Sequence, residues 1–179
     1  DETYGDLSFT ESYAAAESLC RALKAAIHTE TRLTASVGIG PNKLIAKIAS
    51  GMSKPDGLTI VREEEAESFL APLPLRAIPG IGPKTEGLFA KQGLRLVQDA
   101  APLTVTQLDD LLGKRGVDLY EKIRGRDATP IEEYAEIKSI GERHTFEIDT
   151  LDSQRLLDEL ELLGKGVMDR LQQERLRSF

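Results

Sequence analysis

A single cysteine, Cys20, stands among the 179 residues, so no disulfide can close within the chain. That fits a reducing compartment such as the cytoplasm. Cys20 shares a helical pattern with Leu19 and Leu23, which favours a buried thiol over a nucleophile. Histidine is scarce too, and neither His28 nor His144 has companions at metal-ligand spacing. No apolar run is long enough to cross a bilayer. The acidic N-terminus has no apolar stretch behind it, so no signal peptide is expected. Positive charge is also in short supply: 23 Lys and Arg against 30 Asp and Glu give a net charge of −7. That balance argues against a uniformly basic nucleic-acid binder but leaves room for local patches. Residues 42 to 54 supply one, with Lys43, Lys47 and Lys54 and no acid among them. Residues 131 to 136 and 147 to 161 are strongly acidic. Internal repeats and low-complexity tracts are absent.

What is present reads first as α/β material. Residues 3 to 9 suggest a short strand after two opening acids. Ala15, Leu19, Leu23, Ala26 and Ile27 recur at helical spacing over residues 12 to 30. Leu33 to Ile39 is a β-rich run ended by Gly38, Gly40 and Pro41. Asn42 is a good N-cap for a helix over 43 to 52, with Leu44, Ile45 and Ile48 on one face. Gly51, Pro55 and Gly57 end that helix, and Leu58 to Val61 makes the next strand. From Pro72 to about residue 128 the pattern changes to short helices joined by glycines. Residues 129 to 137 read as a linker. A third segment opens with a strand from Lys138 to Phe146. A helix from about Ser153 to Arg175 follows, with Leu156, Leu160, Leu163, Val167 and Leu171 on one face.

Several motifs carry chemistry. In SVGIGPNKLIAKIASGMSKPDG (36 to 57), a lysine, Lys54, is held between helix and strand; Pro55 fixes the backbone beside it and Asp56-Gly57 is a turn pair. Taken alone, Lys54 is an ordinary surface lysine. The Asp1-Glu2 pair alone reads as solvated charge. Lys43 and Lys47 lie one turn apart, equally explained by a solvated helix face. The stretch IPGIGPKT places Gly80, Ile81, Gly82, Pro83, Lys84 and Thr85 in a hairpin. Glycines let backbone approach a phosphate, proline suits a helix first turn, and the free N–H groups there face an anion. An ordinary turn with inward-packed isoleucines is the alternative. Gly113, Gly116, Tyr120, Arg124, Gly125 and Asp127 follow. Arg124 and Arg126 are candidates for DNA backbone, Arg124 equally for an acid partner, and Tyr120 for the core. The segment KSIGERHTF (138 to 146) opens the third part of the chain.

Residues 36 to 57, the opening DETYGDLS, the glycine hairpin and KSIGERHTF stand in an order that resembles the Y-family (DinB-like, translesion) DNA polymerases. The resemblance implies an α/β (α+β) partial palm over 1 to 71, and a small all-α helix-hairpin-helix thumb over 72 to 128. The linker 129 to 137 would lead to a partial α/β little finger over 138 to 179. The fingers, a further carboxylate and most of the little finger would lie outside this sequence, leaving the last helix with an uncovered apolar face. The implied activity is template-directed addition of deoxynucleotides to a primer 3′ end by two-metal phosphoryl transfer. Asp1 and Glu2 would be the catalytic, Mg²⁺-binding carboxylates, hard oxygen ligands for a hard ion. Asp6 has a structural role as its alternative. Lys54 would contact the triphosphate as a point charge. Gly80, Ile81, Gly82, Lys84, Thr85, Lys138 and Arg143 would meet DNA without reading its sequence. Primer-template DNA and dNTP would be the partners, with a sliding clamp engaged through regions beyond this chain and no membrane. A non-catalytic helix-hairpin-helix DNA-binding module and an inactive interaction fragment remain as alternatives.

Overall fold

The computed structural model describes residues 2–132 and 139–174. The chain divides into two units, Asp1–Ile131 and Glu132–Phe179.

The first unit begins with extended residues and a turn closed by Thr10 N donating to Leu7 O at 2.9 Å. The strand expected over 3 to 9 does not form, because this segment has no ladder partner among the described residues. Helix α1 (Tyr13–Thr31) starts at Ser12, whose side chain accepts from Ala15 N, and ends at Arg32 in the left-handed region. Strand β1 (Val37–Ile39) pairs in parallel with β2 (Leu58–Ile60), Val37 opposite Leu58 and Ile39 opposite Ile60. Only the end of the expected 33-to-39 run is therefore strand. Helix α2 (Lys43–Met52) makes the crossover between the two strands.

Alternation along β1 puts its two faces to different uses. Val37 and Ile39 pack with Ala16 and Cys20 of α1, joined by Leu58 and Ile60. Gly38 faces α2: a Cβ there would sit 2.0 Å from Ala46 O and 2.4 Å from Ser50 N. Only glycine allows the helix to lie so close to the strand.

The opposite side of α2 opens onto helices. Leu44, Ile45, Ile48 and Ala49 are buried in one cluster with Val61, Leu70, Leu75, Ile78, Phe89, Val97, Leu108, Leu119 and Ile123. These residues come from α3 (Ala66–Leu70), α4 (Pro83–Lys91), α5 (Val97–Ala100), α6 (Val105–Leu112) and α7 (Arg115–Ile123), and from the turns between them. The hydrophobic core is thus continuous across Pro72, and α2 is the wall shared by the strand layer and the helical layer. One side chain stitches the two directly. Asn42 Oδ1 accepts from Ile45 N at 3.0 Å, capping α2, while its Nδ2 donates to Gly125 O at 2.8 Å.

In the second unit, residues 139–146 are irregular; the expected Lys138-to-Phe146 strand is not formed over its described part. Helix α8 (Ser153–Gln173) is capped by Asp152, whose carboxylate accepts from Gln154 N and Arg155 N. None of its residues is buried, and Leu157, Leu160 and Leu162 are among the most exposed. The described part of this unit is therefore one helix beside an irregular strap.

Candidate nucleotide and nucleic-acid interface

Residues 2 to 4 lie along the outward face of α2. The Glu2 carboxylate accepts a hydrogen bond from Lys47 Nζ, and Lys43 Nζ stands 5.1 Å from the centre of the Tyr4 ring. Lys43 and Lys47, one turn apart, thus hold the opening segment from two points. The Glu2 carboxyl titrates below its ordinary value, mainly through the hydrogen bond and charge of Lys47. Burial opposes this slightly, and the charge of Lys54 lowers it further. The reciprocal bond raises Lys47 above the usual lysine value. Glu2 stays well exposed, its side chain retaining 62% of its accessible surface. Asp1 lies outside the described residues. Among the described residues no three His, Cys, Asp or Glu side chains gather as a metal cage. The donor chemistry of Glu2, a hard carboxylate oxygen open to solvent, nevertheless suits a hard divalent ion.

Asp6 takes a structural role. Its Oδ1 accepts from Ser8 N at 2.8 Å and Ser8 Oγ at 2.6 Å, making a local turn and holding its carboxyl below the ordinary value.

Lys54 is exposed in the connection from α2 to β2. Its peptide bond to Pro55 is cis, and Asp56 has φ of 58°. The support beneath this turn comes from Lys24 on α1. Its ammonium donates to Ala35 O, to both the carbonyl and carboxylate of Asp56, and to Gly57 O. Nothing in the sequence pairs Lys24 with a turn more than thirty positions away.

The glycine hairpin takes the expected form. Gly80 has φ of 101°, where a side chain would be strained, and Ile78 and Ile81 are buried. Gly82 is the N-cap of α4 with no side-chain cap, Pro83 fills the first turn, and Lys84 is exposed beside half-buried Thr85. The helix start therefore presents uncapped N–H groups with a cation at their edge. Glu86, in the same turn, is drawn toward Arg76 at 3.9 Å.

The two arginines further on are otherwise engaged. Arg124 donates to Tyr120 O at 2.8 Å, Ala101 O at 2.5 Å and Leu103 O at 2.9 Å, and lies 3.6 Å over the Tyr120 ring. It is a strut between α7 and the α5–α6 connection, its guanidinium donating to carbonyls rather than to an acid among the described residues. Arg126 pairs with Glu121 at 2.7 Å. Tyr120 packs against the core. In the second unit Arg143 is exposed, His144 meets Glu159, and Lys138 lies outside the described residues.

A parallel βαβ unit sharing its core with a glycine-hairpin helical layer is the architecture found in part of the Y-family DNA polymerases. The model of the impB/mucB/samB family matches residues 1–51, and that of the IMS family HHH motif matches residues 63–94. A DNA polymerase IV of Methanoculleus marisnigri is 42% identical over 177 residues, which are 99% of this chain and 49% of that protein. The crystal structure of DinB from Sulfolobus solfataricus superposes with a TM-score of 0.61 at 30% identity, covering 68% of this chain and 36% of that one. A Dbh ternary complex gives 0.64 at 25% identity over 89% of this chain and 47% of that one. The chain is thus similar to the Y-family DNA polymerases over nearly its whole length, and it spans about half the length of the curated relatives it matches.

Proposed function

We propose that this chain forms the palm-to-thumb part of a translesion DNA polymerase. In the whole enzyme a primer 3′-hydroxyl attacks the α-phosphate of a deoxynucleoside triphosphate, forming a phosphodiester and releasing pyrophosphate. What supports this reading is the exposed Glu2 carboxylate held by Lys47, with the charge of Lys54 also lowering its titration. Asp1 and Glu2 would hold Mg²⁺, which when bound supplies charge neutralisation for the triphosphate and acidifies the attacking hydroxyl. Lys47 neutralises Glu2 and would have to yield that carboxylate to the metal. Lys54 receives the polyphosphate as a mobile point charge. Gly80, Ile81, Gly82, Lys84 and Thr85 grip duplex phosphates through backbone N–H groups and one cation, holding register without reading bases. Lys138 and Arg143 would add phosphate contacts from the second unit.

Equilibrium binding of dCTP to the 179-residue chain, with and without Mg²⁺, tests the palm. The expected result is Mg²⁺-dependent binding that Glu2→Ala and Lys54→Ala both weaken. Duplex affinity that survives without metal, beside no dCTP binding at all, would instead favour a non-catalytic hairpin module. In the duplex assay, Lys84→Ala should lower affinity and flatten the salt slope by about one phosphate contact.

A further inference from the structure

Lys24 is the most heavily engaged charge that the proposed site leaves unused. Its side chain is only 14% exposed, and Nζ donates to Ala35 O at 2.6 Å, Asp56 O at 2.7 Å, Asp56 Oδ1 at 2.7 Å and Gly57 O at 3.1 Å. An ammonium has three protons, so four oxygens leave none free and one shared. Lysine ends ordinarily remain in water. Here the side chain is a strut.

What it supports is the turn that presents Lys54. Asp56 holds a left-handed φ of 58°, which a non-glycine residue keeps only where its surroundings fix it. Gly57 O, besides meeting Lys24, accepts from Val37 N at 3.0 Å, so the turn is joined to the head of β1. Lys24 is also the leading cause of the lowered Asp56 carboxyl titration, with His28 adding to it. Lys54 itself has no such anchor from its neighbours on the turn; its placement follows from the backbone that Lys24 holds.

The geometry points to Lys24 as a positioning residue for polyphosphate binding: by clamping residues 56 and 57 from α1, it fixes the turn that presents Lys54 before any ligand arrives. This rests on the reading of Lys54 as the triphosphate contact. Lys24 does not touch the ligand. Its contribution is preorganisation, the ordering that the turn would otherwise undergo on binding.

The test uses Lys24→Met, which keeps the stem and removes the donors, Lys24→Arg, which restores a cation, and Lys54→Ala, all in the 179-residue chain. Two quantities are measured: amide hydrogen exchange by segment, and dCTP affinity in Mg²⁺. Lys24→Met should speed exchange over residues 53–59 while leaving 44–49 unchanged. It should weaken dCTP binding about three- to tenfold, the scale of ordering one loop and side chain on binding. Lys24→Arg should recover much of both. Unchanged exchange and affinity in Lys24→Met overturn the proposal, and so does a loss of affinity that only tracks faster exchange throughout the unit. If Lys54→Ala weakens dCTP binding and Lys24→Met does not, Lys24 alone is excluded. If Lys24→Met loosens the turn but Lys54→Ala leaves dCTP binding intact, the Lys54 reading fails and the positioning role with it. Absence of dCTP binding by the unaltered chain overturns both.

Discussion

Replacing Asn42 separates two jobs that one side chain performs. Its Oδ1 caps α2 at Ile45 N, and its Nδ2 reaches across the core boundary to Gly125 O. Loss of an N-cap costs about 1 kcal/mol. Loss of a neutral hydrogen bond costs about another 1 kcal/mol, the carbonyl of Gly125 being left behind in a buried residue. Asn42→Ala should therefore destabilise the first unit by about 2 kcal/mol. Asn42→Ser keeps a capping oxygen but is too short to reach Gly125, so it should cost about half as much. Urea unfolding followed by far-ultraviolet circular dichroism measures both through the midpoint at constant slope. The separation in melting temperature between the two variants should be roughly 3–5 °C for a unit of this size. Equal destabilisation by Ala and Ser would mean that the bridge to Gly125 contributes nothing. A stable Asn42→Ala variant would refute the capping argument as well.

Gly38→Ala places a methyl group 2.0 Å from Ala46 O and should destabilise the unit by at least about 2 kcal/mol in the same assay, since α2 must move off the strand. Arg124→Met strips the partner from three carbonyls and should cost about 2 kcal/mol in stability. Its duplex affinity at temperatures where it stays folded should be unchanged; a loss of DNA binding without a loss of stability would refute the strut assignment. The carboxyls of Asp6, Asp56 and Asp99 titrate below their ordinary values because each accepts hydrogen bonds only when folded, Asp99 from Leu96 N and Arg95 N. Their contribution is complete above the unfolded carboxyl value of about 4 and lost as pH falls through the lower folded values. Acid unfolding should therefore take up protons below about pH 4, and Asp99→Asn should flatten that dependence.

The parts of the fold that a local pattern encodes were legible in the sequence. The helix expected over 12 to 30 is Tyr13–Thr31, that over 43 to 52 is Lys43–Met52, and the strand at Leu58 ends one residue early. Helical periodicity and caps are written within a few neighbours. The strand expected over 3 to 9, the first part of that expected over 33 to 39 and the described part of that expected over 138 to 146 do not form, because a strand is decided by a partner that its own residues do not specify. The same limit applies to side chains. The glycine hairpin was readable since its glycines, proline and lysine are contiguous. Lys24 beneath the Asp56 turn, Asn42 against Gly125 and Arg124 on the Ala101 and Leu103 carbonyls were not, because each contact spans 21 to 83 positions.

Because α2 is at once the crossover of the sheet and a wall of the helical core, the glycine hairpin and Lys54 belong to one compact unit. On the proposed function they act like the fixed jaws of a gauge, setting how far the gripped stretch of duplex stands from the incoming nucleotide. Each forward step along a template would then require the double helix to slip across the hairpin, since flexing between these jaws would break the apolar packing that joins them.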